Sequence, residues 1–319
     1  NRHFFLSDYF RGIYDNAMSK LPNLTTGITI NRVEVWVTNK TGTTTNTRNI
    51  IALTDLGENT KVSNRIWSTT GQPVPCNAAN TEYSEMANTY SAARDIDQTN
   101  TVLDGISGFT GGSDYEKLES ARLLTSSEYT VNTSLGYISL KSSLQTDQVL
   151  AIAYEYTYGG VTYQVGEFAS DNTDTEKALF VKSLKNTSNN PQQGNWNLMM
   201  KNVYYLASTV EKTKFKLDIK YLSDTTGVYL NYIPVTQMKD QTLLKVIGAD
   251  RLDNNNKAHS NGYFDYVDGY TVSNGRVFLP KVEPFGSSLY DYMISKGVAA
   301  ETAKKFVFQA LYDSTKTTA

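Results

Sequence analysis

Residues 149–165 read VLAIAYEYTYGGVTYQV, with large apolar or aromatic side chains at alternate positions on both sides of a Gly-Gly pair. One face runs from Leu150 to Tyr158, and the alternation resumes after Gly159 and Gly160. Alternation with period two is typical of β-strands, and adjacent glycines accept the positive φ angles of a two-residue hairpin turn. This stretch therefore predicts an antiparallel hairpin at the centre of a β-rich fold.

Other parts of the chain extend this prediction. Strand-like alternation recurs at residues 27–38, 49–56, 137–140, 215–222 and 228–233. Apolar residues at helical spacing predict amphipathic helices at residues 6–21 and 303–311, with a shorter helix at 289–296. Residues 113–116 (SDYE) fit a capping box and predict a short helix to about residue 124. The predicted fold class is α+β, with a β-rich body of mainly antiparallel strands and amphipathic helices at both ends.

The composition narrows the class of protein. Among 319 residues there are 38 Thr, 27 Asn and 22 Tyr, a mixture that suits half-buried strands joined by tight turns and that we associate with an exported protein. The net charge of −2 provides no basic excess for binding phosphates, so we expect no nucleic acid as a partner.

The domain organisation is predicted to be simple. No internal repeat or low-complexity linker divides the chain, so residues 1–319 are expected to form a single β-rich module. Residues 60–112 are polar and weakly patterned, which predicts a loop-rich insert, and contacts with partners are expected between about Trp67 and Gly112. The chain starts at Asn1, without Met and inside a helical pattern, so we expect a fragment of a much larger protein.

Groups suited to nucleophilic catalysis are scarce. The histidines are His3 and His259, and neither lies in a nucleophile-elbow motif. Cys76 is the single cysteine and lies in a Pro-rich loop, so a structural thiol is favoured over a nucleophile, and an internal disulfide is excluded.

Two pairs of acidic residues are weaker candidates for a catalytic site. Asp265 with Asp268, or Glu82 with Glu85, could act on a glycosidic bond, but acids three residues apart are more often solvated surface groups. We therefore predict no catalytic residues, no organic cofactor and a protein that is not an enzyme.

One loop is a candidate metal site. Asp250, Asp253, Asn255 and Asp265 carry the carboxylate and amide oxygens that Ca²⁺ prefers. The register lacks the glycine and the closing Glu of a calcium-binding helix-loop-helix, so a loop held by Asx turns is the alternative. Calcium is the one cofactor that the sequence leaves open.

Specific stretches resemble the SprA family of Bacteroidetes. The resemblance is carried by residues 3–11 (HFFLSDYFR), 31–40 (NRVEVWVTNK), 48–58 (RNIIALTDLGE), 135–140 (LGYISL), 163–168 (YQVGEF), 198–204 (LMMKNVY), 250–255 (DRLDNN) and 283–287 (EPFGS). These stretches follow one another over most of the chain, and the weakest similarity lies at about residues 60–110.

The resemblance implies a role in protein transport. Proteins similar to SprA form the outer-membrane translocon of the type IX secretion system and support gliding motility. By this resemblance the chain is a non-enzymatic structural or interaction module that shapes or gates the cargo path, on the extracellular or periplasmic side of the outer membrane. Its expected partners are other secretion-system components, folded cargo proteins and the rest of its own outer-membrane barrel.

Two other functions remain open. The Tyr and Trp content and the exported composition are also typical of a surface glycan-binding or adhesin domain. A carbohydrate-active enzyme is the third hypothesis, and the acid pairs are the features that favour it.

Overall fold

The computed structural model describes residues 2–188 and 190–313. Asn1, on which the expectation of a fragment partly rests, lies outside these residues. The described residues form two compact units: unit 1 contains residues 2–13 and 25–200, and unit 2 contains residues 14–24 and 201–313. A single module is expected from the sequence, which carries no signal for this division.

Unit 1 is dominated by β-strands. They are β1 (His3–Phe5), β2 (Ile28–Val37), β3 (Thr47–Leu53), β4 (Tyr115–Leu123), β5 (Tyr129–Asn132), β6 (Tyr137–Leu140), β7 (Leu150–Tyr158), β8 (Val161–Val165) and β9 (Leu179–Lys185). Its helical segments are α2 (Glu82–Asn88), α3 (Thr99–Leu103) and the 3₁₀ turns Ser91–Arg94 and Gly194–Leu198. Helix α1 (Asp8–Met18) begins in unit 1 and ends in unit 2.

The main sheet closes on itself. Strand β2 pairs antiparallel with both β4 and β7, β4 pairs with β3, and β9 connects β3 to β7. The β3–β9 pairing is parallel and the others are antiparallel. A smaller sheet has the order β1-β6-β5. The prediction of a β-rich body with mainly antiparallel strands is therefore confirmed.

Residues 149–165 form the predicted hairpin. Tyr158 pairs with Val161 across Gly159 and Gly160, whose φ angles of 58° and 80° belong to a primed two-residue turn. The tyrosine face is core, since Tyr154 and Tyr156 are fully buried and their rings lie 6.1 and 5.6 Å from that of Phe10.

The opposite face of the strands forms a second core layer. Small and branched side chains alternate along β3, β7 and β9 and pack beneath Trp36 and Phe168; the cluster consists of Trp36, Ile50, Ala52, Leu118, Ala121, Val149, Ala151, Ala153, Phe168, Leu179 and Val181. Burial on both faces explains why the apolar residues of β9 follow no clear period.

Unit 2 contains short elements. Its strands are β10 (Val203–Tyr205), β11 (Tyr221–Leu222), β12 (Tyr229–Leu230), β13 (Val272–Ser273) and β14 (Arg276–Phe278). Its helices are α4 (Leu243–Val246), α5 (Ser287–Ser295) and α6 (Ala300–Ala303), with 3₁₀ turns at Lys212–Lys214, Thr236–Met238 and Gln309–Leu311. Helix α4 joins two cores, because Leu243 and Val246 pack in one cluster while Leu244 and Ile247 pack in the other.

Two helix predictions fail. Residues 115–123 form strand β4 rather than a helix, because Tyr115 and Leu118 become buried when β4 pairs with β3. The continuous helix at residues 303–311 is also wrong: the amide of Phe308 donates 2.7 Å to the carbonyl of Phe285, which draws the chain out of the helical path. The expectation of an amphipathic helix at each end is therefore not confirmed.

Candidate functional site

Residues 54–114, which include the predicted insert 60–112, form an ordered part of unit 1 rather than an open loop. Helices α2 and α3 lie within this segment, and it contributes core side chains: Trp67, Val74, Ala79, Met86, Ala93, Leu103 and Phe109 are buried. A deletion within this segment, such as residues 70–107, would therefore remove buried core side chains together with the surface that could contact partners. Substitutions of exposed side chains are the better test of contacts by this segment.

A buried ionic cluster lies where this segment meets strand β9. Lys182, on β9, is 1% exposed, and its ammonium lies 3.0 Å from Oε1 of Glu58. The parallel pairing of Leu53 with Lys182 sets the position of the lysine, whose Nζ also donates to the carbonyl of Thr54.

A tight turn presents Glu58 to the lysine. Gly57 has φ +73°, and a Cβ there would lie 2.6 Å from a methyl carbon of Val165, so both the conformation and the space require glycine. The backbone amide of Asp8 donates to both carboxylate oxygens of Glu58, at 3.2 and 3.1 Å. Burial raises the pKa of Glu58, and the charge of Lys182 opposes that rise.

Asn80 connects this turn to α2. Its side-chain amide donates to the carbonyls of Asp55 and Glu58 at 2.8 and 2.9 Å, and its Oδ1 accepts from the backbone amide of Glu82 at 2.9 Å. The buried amide thereby fixes Glu58 and Glu82 in one local framework.

Glu82 is the unusual member of the cluster. Its side chain is fully buried, and the indole N–H of Trp67 lies near its carboxyl at a geometry too poor for a regular hydrogen bond. No other group bonds to either carboxyl oxygen within the described part of the chain. Burial first, and then the charge of Asp55, raise the pKa of Glu82 well above its usual range. A buried carboxyl without a regular hydrogen bond calls for a specific explanation.

The sequence pattern does not predict this cluster of Glu58, Glu82 and Lys182. Glu82 and Glu85 are predicted as an exposed acid pair, whereas Glu82 is buried and Glu85 is half-buried. Lys182 and Glu58 are not singled out at all. The one available signal is a charged residue inside the apolar run of β9, and it does not identify the partner.

The calcium candidates lie together in unit 2, and their carboxylate oxygens already accept hydrogen bonds. Asp250 and Asp265 are buried, and Asp253 is half-buried. The carboxylate of Asp250 accepts hydrogen bonds from Ser260 Oγ and from the backbone amides of Asn261 and Gly262. That of Asp253 accepts from the amides of Asn255 and Lys257. That of Asp265 accepts from the amides of Arg251 and Leu252.

These bonds match the Asx-turn alternative for the loop. The side chain of Asn255 is exposed, and no three His, Cys, Asp or Glu residues in the described part of the chain are grouped as a metal site. Calcium binding at Asp250, Asp253, Asn255 and Asp265 stays a prediction.

The remaining sequence candidates are dispersed. Nδ1 of His3 lies 2.8 Å from Oγ of Ser139, and Cys76 is buried, which raises the pKa of its thiol. His259 is exposed and, with Asp250, lines a cavity of about 530 Å³ in unit 2. Asp268 is exposed while Asp265 is buried, so this acid pair does not share one environment.

Unit 2 also exposes large apolar side chains. Tyr204 and Phe308 both adjoin Phe285: the Tyr204 ring lies 6.2 Å from the Phe285 ring, and the Phe308 amide bonds to the Phe285 carbonyl. Phe308 is 61% exposed. Together, Tyr204, Phe285 and Phe308 form the Phe285 patch.

A scan against models of protein families and a search of curated proteins both find no match for this chain. Within the described residues, none of the helices has the length and hydrophobicity required to cross a bilayer.

Proposed function

We propose that this chain is a non-enzymatic structural or interaction module of an outer-membrane protein-secretion translocon, of the kind that serves type IX secretion and gliding motility. The family assignment rests on the resemblance of the eight stretches between residues 3 and 287 to SprA. The module would shape or gate the cargo path from the extracellular or periplasmic side. Its partners would be folded cargo, other secretion components and the rest of its own barrel.

The Phe285 patch is the structural observation that supports an interaction role best. Aromatic rings are enriched at protein interfaces, where a few buried anchors carry most of the binding energy. Tyr204 lies on β10, which pairs with β14 on one side and is an edge of its sheet within the described residues. An edge strand flanked by exposed rings offers a partner both backbone hydrogen bonds and apolar contacts.

A secretion assay in the native bacterium tests this role. We expect Tyr204→Ser with Phe308→Ser to reduce export of a type IX cargo protein at an unchanged outer-membrane level, because the anchors are removed from an exposed surface. Val161→Ser is the matched control, since Val161 is an exposed apolar residue of the β7–β8 hairpin in unit 1. Normal export by the double variant would refute the patch as the working surface.

The alternative is a surface glycan-binding or adhesin domain. Tyr205, Tyr229 and Tyr263 are each more than half exposed, and exposed phenol rings can stack on the apolar faces of sugars. A glycan array decides this alternative: reproducible binding that Tyr229→Ala weakens would favour it over the secretion role.

A further inference from the structure

We propose that Lys182 and Glu58 become joined by an intramolecular amide bond after folding, with the Glu82 carboxyl acting as the proton-transfer group. The bond would link strand β9 covalently to the turn at residues 55–58. This inference concerns unit 1 alone and does not rest on the proposed secretion role.

Proximity is the first argument. The Nζ of Lys182 and Oε1 of Glu58 lie 3.0 Å apart, so the amine is in contact with the carboxyl group whose carbon it would attack. Both side chains are held by the fold, since the β3–β9 register sets Lys182 and Gly57 sets Glu58. Fixing two reactants in this way replaces an improbable encounter with an effectively unimolecular step.

Desolvation is the second argument. Lys182 and Glu58 are 1% and 3% exposed, and burial raises the pKa of the Glu58 carboxyl, which favours its neutral, more electrophilic form. Transfer of one proton from the ammonium to the carboxylate produces a nucleophilic amine that faces a carboxylic acid.

The reaction balances without any other reagent. The amine nitrogen of Lys182 attacks Cδ of Glu58, the C–N bond forms, and one carboxyl oxygen leaves as water. Glu82 donates a proton to the departing oxygen and regains one from the amine nitrogen. The sum is one ammonium and one carboxylate converted to one amide and one water, with no oxidant or reductant.

The surroundings fit the steps. The amide of Asp8 points at both oxygens of Glu58 and would stabilise the negative charge that develops when the amine adds. The carbonyl of Thr54 accepts from Nζ of Lys182 and orients the amine. Within the described residues the Glu82 carboxyl has no regular hydrogen bond and only the indole N–H of Trp67 beside it, and it interacts electrostatically with Lys182, so it is available for proton transfer.

Lys185 provides a comparison within the same strand. It is also buried, but its three N–H groups are taken by the carbonyls of Thr146, Gln148 and Asn186 at 2.8 Å. A lysine bonded in this way has its ammonium satisfied, and within the described residues Glu116 and Asp147 act on it only from beyond ion-pair distance. The proposed chemistry is therefore specific to Lys182.

Mass spectrometry of the wild-type protein tests the proposal directly. Trypsin cannot cleave after an acylated lysine, so the digest should contain residues 49–61 joined to residues 178–185, about 18 Da lighter than the sum of the two chains. The intact chain should be lighter than its sequence by the same mass of one water. Linear peptides 49–61 and 178–182 with no linked species would overturn the proposal.

Variants separate the roles. Lys182→Arg and Glu58→Ala should restore the full sequence mass, and Glu82→Gln should restore it or slow the mass loss by more than tenfold. Lys185→Arg is the matched control and should keep the mass deficit. The wild-type digest alone decides whether the bond exists, so a variant that fails to fold does not affect that result. If folded Glu82→Gln still lost the full mass of one water, Glu82 would not be the proton-transfer group.

Discussion

Arg94 donates two hydrogen bonds to Glu167, at 2.5 Å to Oε1 and 2.8 Å to Oε2, while its guanidinium carbon lies 4.1 Å from the centre of the Phe180 ring. The same carboxylate accepts from Tyr83 Oη and from the amide of Phe180, each at 3.0 Å. This network fastens residues 83–94, inside the predicted insert, to the strand that carries Phe180.

Replacing Arg94 with Ala should destabilise unit 1 by about 3 kcal/mol, because the buried carboxylate of Glu167 loses its cation. Arg94→Lys should recover part of this loss, since lysine keeps the charge but neither the bidentate geometry nor the stacking. Urea unfolding followed by tryptophan fluorescence measures the effect, because all three tryptophans lie in unit 1.

The Arg122–Glu128 pair is the control for the Arg94 prediction. Its charged groups lie 3.0 Å apart, but both side chains are more than a quarter exposed. Arg122→Ala should cost about 0–1 kcal/mol, as is usual for surface pairs. Equal losses for Arg94→Ala and Arg122→Ala would contradict the buried-network explanation.

Phe306 and Phe308 form a matched pair for testing the C-terminal region of unit 2. Phe306 is half-buried, with its ring 5.4 Å from the Tyr221 ring, whereas Phe308 is mostly exposed. Phe306→Ala should cost about 2 kcal/mol, and Phe308→Ala less than about 0.5 kcal/mol, because alanine keeps the amide that bonds to Phe285.

Near-ultraviolet circular dichroism during urea unfolding provides the measurement for this pair, since unit 2 contains 12 of the 22 tyrosines and no tryptophan. Tryptophan fluorescence, which reports unit 1, identifies the part of the signal that belongs to the other unit. A larger loss for Phe308→Ala than for Phe306→Ala would show that the packing is assigned to the wrong ring.

The parts of the fold that the sequence predicts well are those that local pattern determines. The β7–β8 hairpin follows from alternation and from two glycines that must adopt positive φ. Strand β6 also lies at the predicted residues 137–140. Helix α5 ends before Gly297, whose φ of +81° is the expected left-handed cap.

The failures come from contacts between residues that are distant in sequence. Residues 113–116 do match the pattern of a capping box. Residues 115–123 nevertheless form a strand, because pairing with β3 bonds their backbone and buries Tyr115. The division into two units also depends on distant contacts, because residues 14–24 belong with residues 201–313.

The Lys182 cluster could not be inferred for the same reason. Glu58, Glu82 and Lys182 come from a turn, a helix start and a strand, and their meeting depends on the parallel β3–β9 register. A parallel register between distant strands leaves no periodic trace in a single sequence.

Asp265 should give unit 2 a dependence on pH. Burial, with a contribution from Asp250, raises the pKa of Asp265 to about 6. Between its ordinary value of about 4 and this value, the folded unit binds more protons than the unfolded chain, so stability should fall as pH rises through that window. Melting temperatures of unit 2 from pH 4 to pH 7, followed by tyrosine dichroism, measure this slope.

Two variants isolate the Asp265 contribution. Asp265→Asn should flatten the slope in this window and lower stability overall, since asparagine has one acceptor oxygen and its NH₂ group would face the backbone amide of either Arg251 or Leu252. Asp268→Asn, at an exposed acid three residues away, should leave the slope unchanged. An unchanged slope in Asp265→Asn would refute the assignment.

Calcium binding at Asp250, Asp253, Asn255 and Asp265 makes a separate prediction for unit 2. A ligand that binds only the folded state stabilises it by about 2.7 kcal/mol at a concentration one hundred times its dissociation constant. If the four residues bind Ca²⁺, added calcium should raise the melting temperature of unit 2 and a chelator should lower it. The backbone amides that already bond to Asp250, Asp253 and Asp265 would have to share those oxygens with the ion.

Asp253→Asn serves as the calcium-specific variant, because Asp253 is less buried than Asp250 and Asp265 and its loss threatens folding least. In this variant the effect of calcium should shrink, while the melting temperature in chelator should change little. Magnesium provides the ionic control, since its smaller size and preference for octahedral geometry suit a flexible Asp and Asn loop poorly. Identical melts of the wild-type protein in calcium and in chelator would eliminate the site and leave Asx turns as the full explanation of this loop.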